Sequence, residues 1–200
     1  MEAWPVIIRG TSLLVLAGGE SSRMGYPKHL LPAAGGTLID HIIDNLGNLF
    51  SEVLVAGRGL EQNRTDIRFV EDLKLLRSPL VGILTGMKES NNPDVFVMGC
   101  DMPFVRADLI RYLTSRKSSK SDIVIPVVKG YYEPLCAVYS CSIADRISQY
   151  VDSGGRKVTG FFEKVKVTEI LESSIRSYDP LLKSFINLNT PNEYRNYNLS

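Results

Sequence analysis

The sequence has little with which to build a disulfide framework or a resident metal cluster. Its 200 residues include three cysteines and two histidines. Cys100, Cys136 and Cys141 are odd in number and form no Cys-x-x-Cys pair, which argues against both a closed disulfide set and a zinc site. They read as reduced thiols of a cytoplasmic protein. His29 and His41 are isolated and lack metal-ligand spacing. No apolar run approaches the roughly 20 residues that span a bilayer. The short patch Trp4 to Ile8 is ended by Arg9 before it reaches signal-peptide length. Net charge is also scarce: the formal value is +1, with basic and acidic residues interspersed. That leaves no broad basic face for nucleic acid or a membrane surface, and a small charged substrate remains. The length fits one domain, residues 1–200.

What is present is an alternation of short apolar runs with helical periods. Ser12 to Ala17 is a continuous apolar run closed by Gly18-Gly19, the pattern of a strand buried on both faces of a parallel sheet. Thr37 opens a helical period at Leu38, Ile39, Ile42, Ile43, Leu46 and Leu49, and Asp40 completes a capping box with it. Strands are expected at Val53–Ala56, Ile67–Val70, Val95–Met98, Asp122–Val128 and Leu135–Tyr139. Helices are expected at Leu80–Lys88, Ala107–Ser115, Ile143–Val151 and Val158–Val165. Tyr131 to Pro134 reads as a turn, with antiparallel pairing expected at a sheet edge. Phe185–Asn187 reads as a short strand, Pro191–Tyr194 as a helical turn and Lys117–Ser121 as a flexible surface loop. The fold class is therefore α/β: a doubly wound, mostly parallel sheet with helices on both faces, Rossmann-like in outline.

Two stretches carry chemistry. Leu16-Ala-Gly-Gly-Glu-Ser-Ser-Arg-Met-Gly-Tyr-Pro-Lys28 places two glycines at the end of the first strand and two cations in the loop that follows. Glycines let backbone N–H groups approach phosphate oxygens, and Arg23 and Lys28 supply the charge that a triphosphate requires. The loop is neither a Walker A motif nor Gly-x-Gly-x-x-Gly. The second stretch, Val95-Phe-Val-Met-Gly-Cys-Asp-Met-Pro103, puts Asp101 just beyond a strand's carboxyl end, where ligands of open α/β sheets bind. A hard oxygen ligand there suits Mg²⁺, although an aspartate before proline also caps helices. Asn187 and Asn189 stand two apart before Thr190-Pro191, so in a strand both amides point to one side.

The series Leu-Ala-Gly-Gly, three residues, Arg-Met-Gly, two residues, Lys, then Leu30-Leu31-Pro32 resembles the signature of the glycosyltransferase-A-like nucleotidyltransferases. It is most similar to the molybdenum cofactor guanylyltransferases (MobA type), with matching elements from Leu16 to Pro191. The resemblance implies that Leu16, Ala17, Gly18 and Gly19 hold base and ribose of GTP through backbone groups, and that Arg23 and Lys28 hold its phosphates. It also implies that Asp72, ahead of Ser78-Pro-Leu-Val-Gly82, touches nucleotide, and that Asp101 is the Mg²⁺ ligand. Asn187 and Asn189 would complete the metal site or hold the acceptor. Glu133-Pro-Leu and Gly154-Gly-Arg-Lys157 fall in the acceptor half of the cleft. The implied reaction moves GMP from GTP to the phosphate of molybdopterin, with Lys28, Arg23 and Asp101 carrying catalysis. Recipient molybdoenzymes or their chaperones are the implied partners of the product.

Two positions depart from the family pattern. Pro27 stands where many guanylyltransferases have an acidic residue, and Gly57 stands where many have asparagine. The Ala17-Gly18-Gly19 form favours guanine, because cytidylyltransferase relatives usually read Ala-Ala-Gly. The rival readings are a CTP-using transferase of the same build, or one acting on another phosphate acceptor, and a non-catalytic nucleotide or pterin carrier.

Overall fold

The computed structural model describes residues 7–18, 31–33, 36–60, 64–74 and 78–189, together with Glu193 and Tyr197. In chain order the elements are β1 (Thr11–Leu16), β2 (Pro32–Ala33), β3 (Gly36–Thr37), α1 (Leu38–Leu46), β4 (Val53–Gly57) and β5 (Arg68–Glu71). They continue with α2 (Pro79–Glu89), β6 (Asp94–Gly99), α3 (Ala107–Ser115), β7 (Ile123–Val128), β8 (Tyr131–Tyr132) and β9 (Cys136–Ser140). The last are α4 (Ala144–Asp152), β10 (Val167–Leu171) and α5 (Glu172–Ile175). The main sheet runs β10-β7-β9-β6-β1-β4-β5, with β8 paired to β7, and β2 and β3 form a separate hairpin.

Alternation along β1 divides the core into two halves. Leu13 and Val15 join one cluster with the apolar sides of α1 and α3. Leu14 and Leu16 join a second with α2 and α4. Because successive side chains of a strand point to opposite faces, a strand apolar at every position must be covered on both sides. The doubly wound α/β expectation is met. Helix α2 lies especially close to the sheet: a Cβ at Gly86 would collide with the Leu14 side chain, and one at Gly82 would stand 3.0 Å from Leu16 Cδ2.

The capping box at Thr37 is formed. The Thr37 hydroxyl accepts from the Asp40 N–H at 3.3 Å, and the Asp40 carboxylate accepts from the Thr37 N–H at 2.8 Å. Antiparallel pairing, expected at an edge, lies inside the sheet, where β9 is bonded to both β6 and β7. The chain between β7 and β9 is too short for the crossover of a dozen or more residues that parallel neighbours need. Strands β1, β4, β5, β6, β7 and β10 all run one way, so their carboxyl ends share one edge.

Other expectations are corrected. Residues Val158–Lys164 form a 3-10 helix in place of an α-helix. Phe185 ends the 3-10 turn Lys183–Phe185, and residues 186–189 have no regular structure, so the strand expected there is absent. The segment Lys117–Ser121 is anchored: Lys117 Nζ pairs with Asp94 at 3.2 Å, and the buried Ser121 hydroxyl bonds Thr168 at 2.6 Å. Strand β10 and helix α5 had no signal, since Ile170 is the one buried residue of β10 and α5 is a single turn. At the amino end Ile8 bridges to Phe50, while residues 1–6 lie outside the described residues, as does most of the turn expected at Pro191–Tyr194. Among the described residues no helix is long and apolar enough to cross a membrane.

Candidate functional site

The carboxyl edge of β5, β4, β1 and β6 collects Asp72, Gly57, Leu16 to Gly18, and Gly99 to Asp101 in that spatial order. Backbone bonds continue the sheet into the loops. The Ala17 N–H donates to Ala56 O at 2.8 Å, Asp72 N–H to Gly57 O at 3.4 Å, and Cys100 N–H to Leu16 O at 3.1 Å. Leu16 and Ala17 are buried, and Gly18 is exposed. A Cβ at Gly57 would stand 3.3 Å from the Gly18 nitrogen, so glycine at this position lets two loops pass closely.

Gly19, Arg23 and Lys28, on which the phosphate cradle was read, lie outside the described residues, as does His29. The described ends of that loop flank the edge. Gly18 leaves beside Asp72, whose Oδ2 would be 3.6 Å from a Cβ there. Leu31 re-enters with its carbonyl accepting from Leu38 N–H at 2.8 Å and its side chain against a small cluster of Ala33, Leu38 and Leu188.

Asp72 is held on several sides. The Leu73 N–H donates to the buried Thr85 hydroxyl at 3.0 Å, and the Arg58 guanidinium donates to the Lys74 carbonyl. Lys74 in turn pairs with Asp152 and reaches the Ser148 hydroxyl at 3.2 Å. The Asp72 carboxylate lies between the glycines at 18 and 82, and its Oδ1 is buried with no hydrogen-bond partner among the described residues. Such an orphan acceptor costs about 1–3 kcal/mol. Burial pushes the carboxyl above its usual range; the nearby Arg58 charge opposes that and Glu71 adds to it. An N–H donor arriving from a ligand would relieve the deficit.

Asp101 sits in a turn closed by Met102 N–H donating to Gly99 O at 3.2 Å. A Cβ at Gly99 would come within 2.5 Å of Asp101 Oδ1, so only glycine there leaves the carboxylate its place. The Asp101 carbonyl accepts from Leu188 N–H at 2.8 Å, which brings the segment of Asn187 and Asn189 to the same turn. Leu188 is buried between two exposed asparagines, so the alternation read from their spacing survives without a strand. Among the described residues there is no cluster of three or more His, Cys, Asp or Glu that could hold a metal. One partly exposed carboxylate on the ligand-binding edge fits a divalent ion that takes its remaining ligands from phosphates and water, as Mg²⁺ does, and does not fit a permanently caged metal.

Glu133 lies further along the same edge, two residues before Leu135, whose carbonyl accepts from Gly99 N–H at 3.3 Å. Arg156 and Lys157 are exposed, and the Arg156 carbonyl accepts from Ser78 Oγ at the amino end of α2 at 3.1 Å. Sequence reasoning missed Gly99, Arg58 and Thr85. A glycine two residues before an acidic strand end was the available signal for the first; the other two act through loop neighbours that no spacing reveals.

Residues 13–167 match the family described as MobA-like NTP transferase domain. The chain is 36% identical over 188 residues to a probable molybdenum cofactor guanylyltransferase of Natranaerobius thermophilus, covering 91% of this chain and 92% of that one. It is 33% identical over 182 residues to a molybdenum cofactor guanylyltransferase of Desulfosudis oleivorans, covering 90% of each. The solved structure of molybdopterin-guanine dinucleotide biosynthesis protein A from Archaeoglobus fulgidus superposes with a TM-score of 0.81 at 26% identity, covering 94% of this chain and 96% of that one.

Proposed function

This chain belongs to the MobA-like NTP transferase family, a family of nucleotidyltransferases, and from that premise we propose that it transfers GMP from GTP to the phosphate of molybdopterin with release of pyrophosphate. The observation that carries the choice of base is the orphan Asp72 oxygen. Guanine presents two adjacent donors, N1–H and the 2-amino group, to a carboxylate; cytosine presents an acceptor, N3, beside its single amino donor. The half-buried Asp72 carboxylate between Gly18 and Gly82, with its Oδ1 unpartnered among the described residues, therefore favours the purine.

Backbone groups of Leu16, Ala17, Gly18 and Gly19 hold base and ribose beside Asp72, while Arg23 and Lys28 take the phosphates. Asp101 would hold Mg²⁺ brought in with the triphosphate, and Asn187 and Asn189 would complete that centre or steady the acceptor. Magnesium, when bound, supplies charge neutralisation at the phosphate oxygens. In the reaction an oxygen of the acceptor phosphate attacks the α-phosphorus in line; a new phosphoanhydride bond forms as the α–β bond breaks and pyrophosphate departs. The protein contributes alignment and positive charge, with no covalent enzyme intermediate. The reaction would take place in the cytoplasm, with recipient molybdoenzymes or their chaperones taking the product.

The test is pyrophosphate release from GTP and CTP, each with Mg²⁺ and molybdopterin. We expect kcat/KM for GTP to exceed that for CTP by about 10⁴-fold, the discrimination reached when the wrong substrate leaves a site's buried polar groups unpaired. Equal or better turnover with CTP overturns the assignment of the base.

A further inference from the structure

Beyond Asp101 the shared edge continues to β9 and β7, whose hairpin neighbour β8 carries residues that the nucleotide does not explain. Lys129 and Gly130 both have positive φ, 52° and 81°, which makes the β7–β8 connection a two-residue turn of the primed type. The hairpin is fastened. The Lys129 N–H donates to Glu172 at 2.9 Å, the Tyr132 hydroxyl donates to Glu169, and the Tyr132 ring packs edge-on against Phe162 at 5.4 Å.

Tyr132 thus faces the α2 and α4 side of the sheet. By alternation Tyr131 and Glu133 face the other side, where Val128, the cross-strand partner of Tyr131, belongs to the first core cluster. Tyr131 is nevertheless 76% exposed. The Glu133 carboxylate is half-buried and has no hydrogen-bond or ion-pair partner among the described residues, although its own N–H and carbonyl are bonded to Pro126 and Cys136. Burial alone raises its carboxyl above the usual range. An exposed ring on an anchored hairpin, on the same side as a half-buried carboxylate without a partner among the described residues, is the arrangement that receives a flat heterocycle with N–H donors on one edge.

We infer that Tyr131 and Glu133 form the acceptor's ring site, with the tyrosine stacking on a 2-amino-4-oxo pteridine and the glutamate accepting from its N3–H and 2-amino groups. The inference rests on the proposed acceptor being molybdopterin. The pteridine edge repeats the donor pair of guanine, so the two substrates would be read by like means: Asp72 on one side of Asp101 and Glu133 on the other. Glu133 stands two residues before Leu135, whose carbonyl accepts from the Gly99 N–H, so the ring site lies along the same edge as the turn of Asp101.

Two measurements on the full-length protein test it. In steady state, Glu133→Gln and Tyr131→Ser should each raise KM for molybdopterin by about tenfold or more while leaving KM for GTP unchanged. In equilibrium titrations with 6-hydroxymethylpterin, wild type should quench pterin fluorescence saturably and both variants should bind more weakly by a similar factor. Wild-type pterin binding without GMP transfer would overturn the proposed reaction and leave the ring site standing. Unchanged molybdopterin KM and unchanged pterin affinity in both variants, or no saturable pterin binding by wild type, overturns the ring site itself.

Discussion

A glycine and an aspartate two residues apart decide whether a carboxylate stands at the centre of the edge. Because a Cβ at position 99 would press on Asp101 Oδ1, Gly99→Ala should displace the carboxylate without emptying the nucleotide site. We expect Asp101→Ala to lower kcat by about 100-fold or more, and Gly99→Ala to lower it by a smaller factor, each with GTP affinity and melting temperature close to wild type. Wild-type turnover in Asp101→Ala would remove the metal site. Asp72 gives a prediction of opposite sign for stability. Its carboxyl is raised by burial, so the folded value exceeds the unfolded one of about 3.9. Stability from the neutral form is complete below that unfolded value and is lost as pH rises through the folded value. Asp72→Asn should therefore melt higher than wild type at pH 7, with the gap closing toward pH 4, yet bind GTP more weakly. Melting curves at the two pH values and a GTP titration check both halves; a variant that binds GTP normally would show that Asp72 does not read the base.

Element by element, the parts that hold the edge are local devices. Helix α1 starts at a formed capping box directly after the small hairpin that receives Leu31, and Arg64 braces the same aspartate, Asp40, as well as Asp44 and Asp66. Thr37→Ala should cost about 1 kcal/mol and lower the melting temperature by about 2–4 °C in calorimetry. No change would mean that Arg64 fixes the helix end unaided. The box was legible in Thr37-x-x-Asp40 because a capping interaction is confined to four residues. The Asn187 to Asn189 segment was legible only in part. Its alternation exists, but the segment is irregular backbone hung on the Asp101 carbonyl through Leu188, a contact across 87 positions of chain that no local pattern encodes. The β7–β8 hairpin shows the same division. The turn expected at Tyr131 to Pro134 lies two residues earlier, at Lys129 and Gly130, and Tyr131–Tyr132 pair as a strand, so the side of the sheet that Tyr131 and Glu133 face depends on pairing with β7.

Across the whole molecule, the sequence by itself determined the layers. Continuous apolar runs such as Leu13 to Leu16 can be satisfied only between two sets of helices, and helical periods between such runs force a mostly parallel sheet whose carboxyl edge holds the ligands. It also determined which carboxylate stands at that edge, since Asp101 follows β6 directly. Only the tertiary structure decided the rest. The antiparallel β9 took an interior place because its connection from β7 is too short to cross over. The half-exposed β10 escaped notice because an edge strand needs few apolar residues. The Asp72 Oδ1 became a buried, unpartnered acceptor among the described residues through Gly18, Arg58, and Gly82 and Thr85 of α2, which come from two loops and one helix. Periodicity is a property of neighbours along the chain, whereas desolvation is a property of neighbours in space, so the first was written in the order of residues and the second appeared only once the sheet had closed.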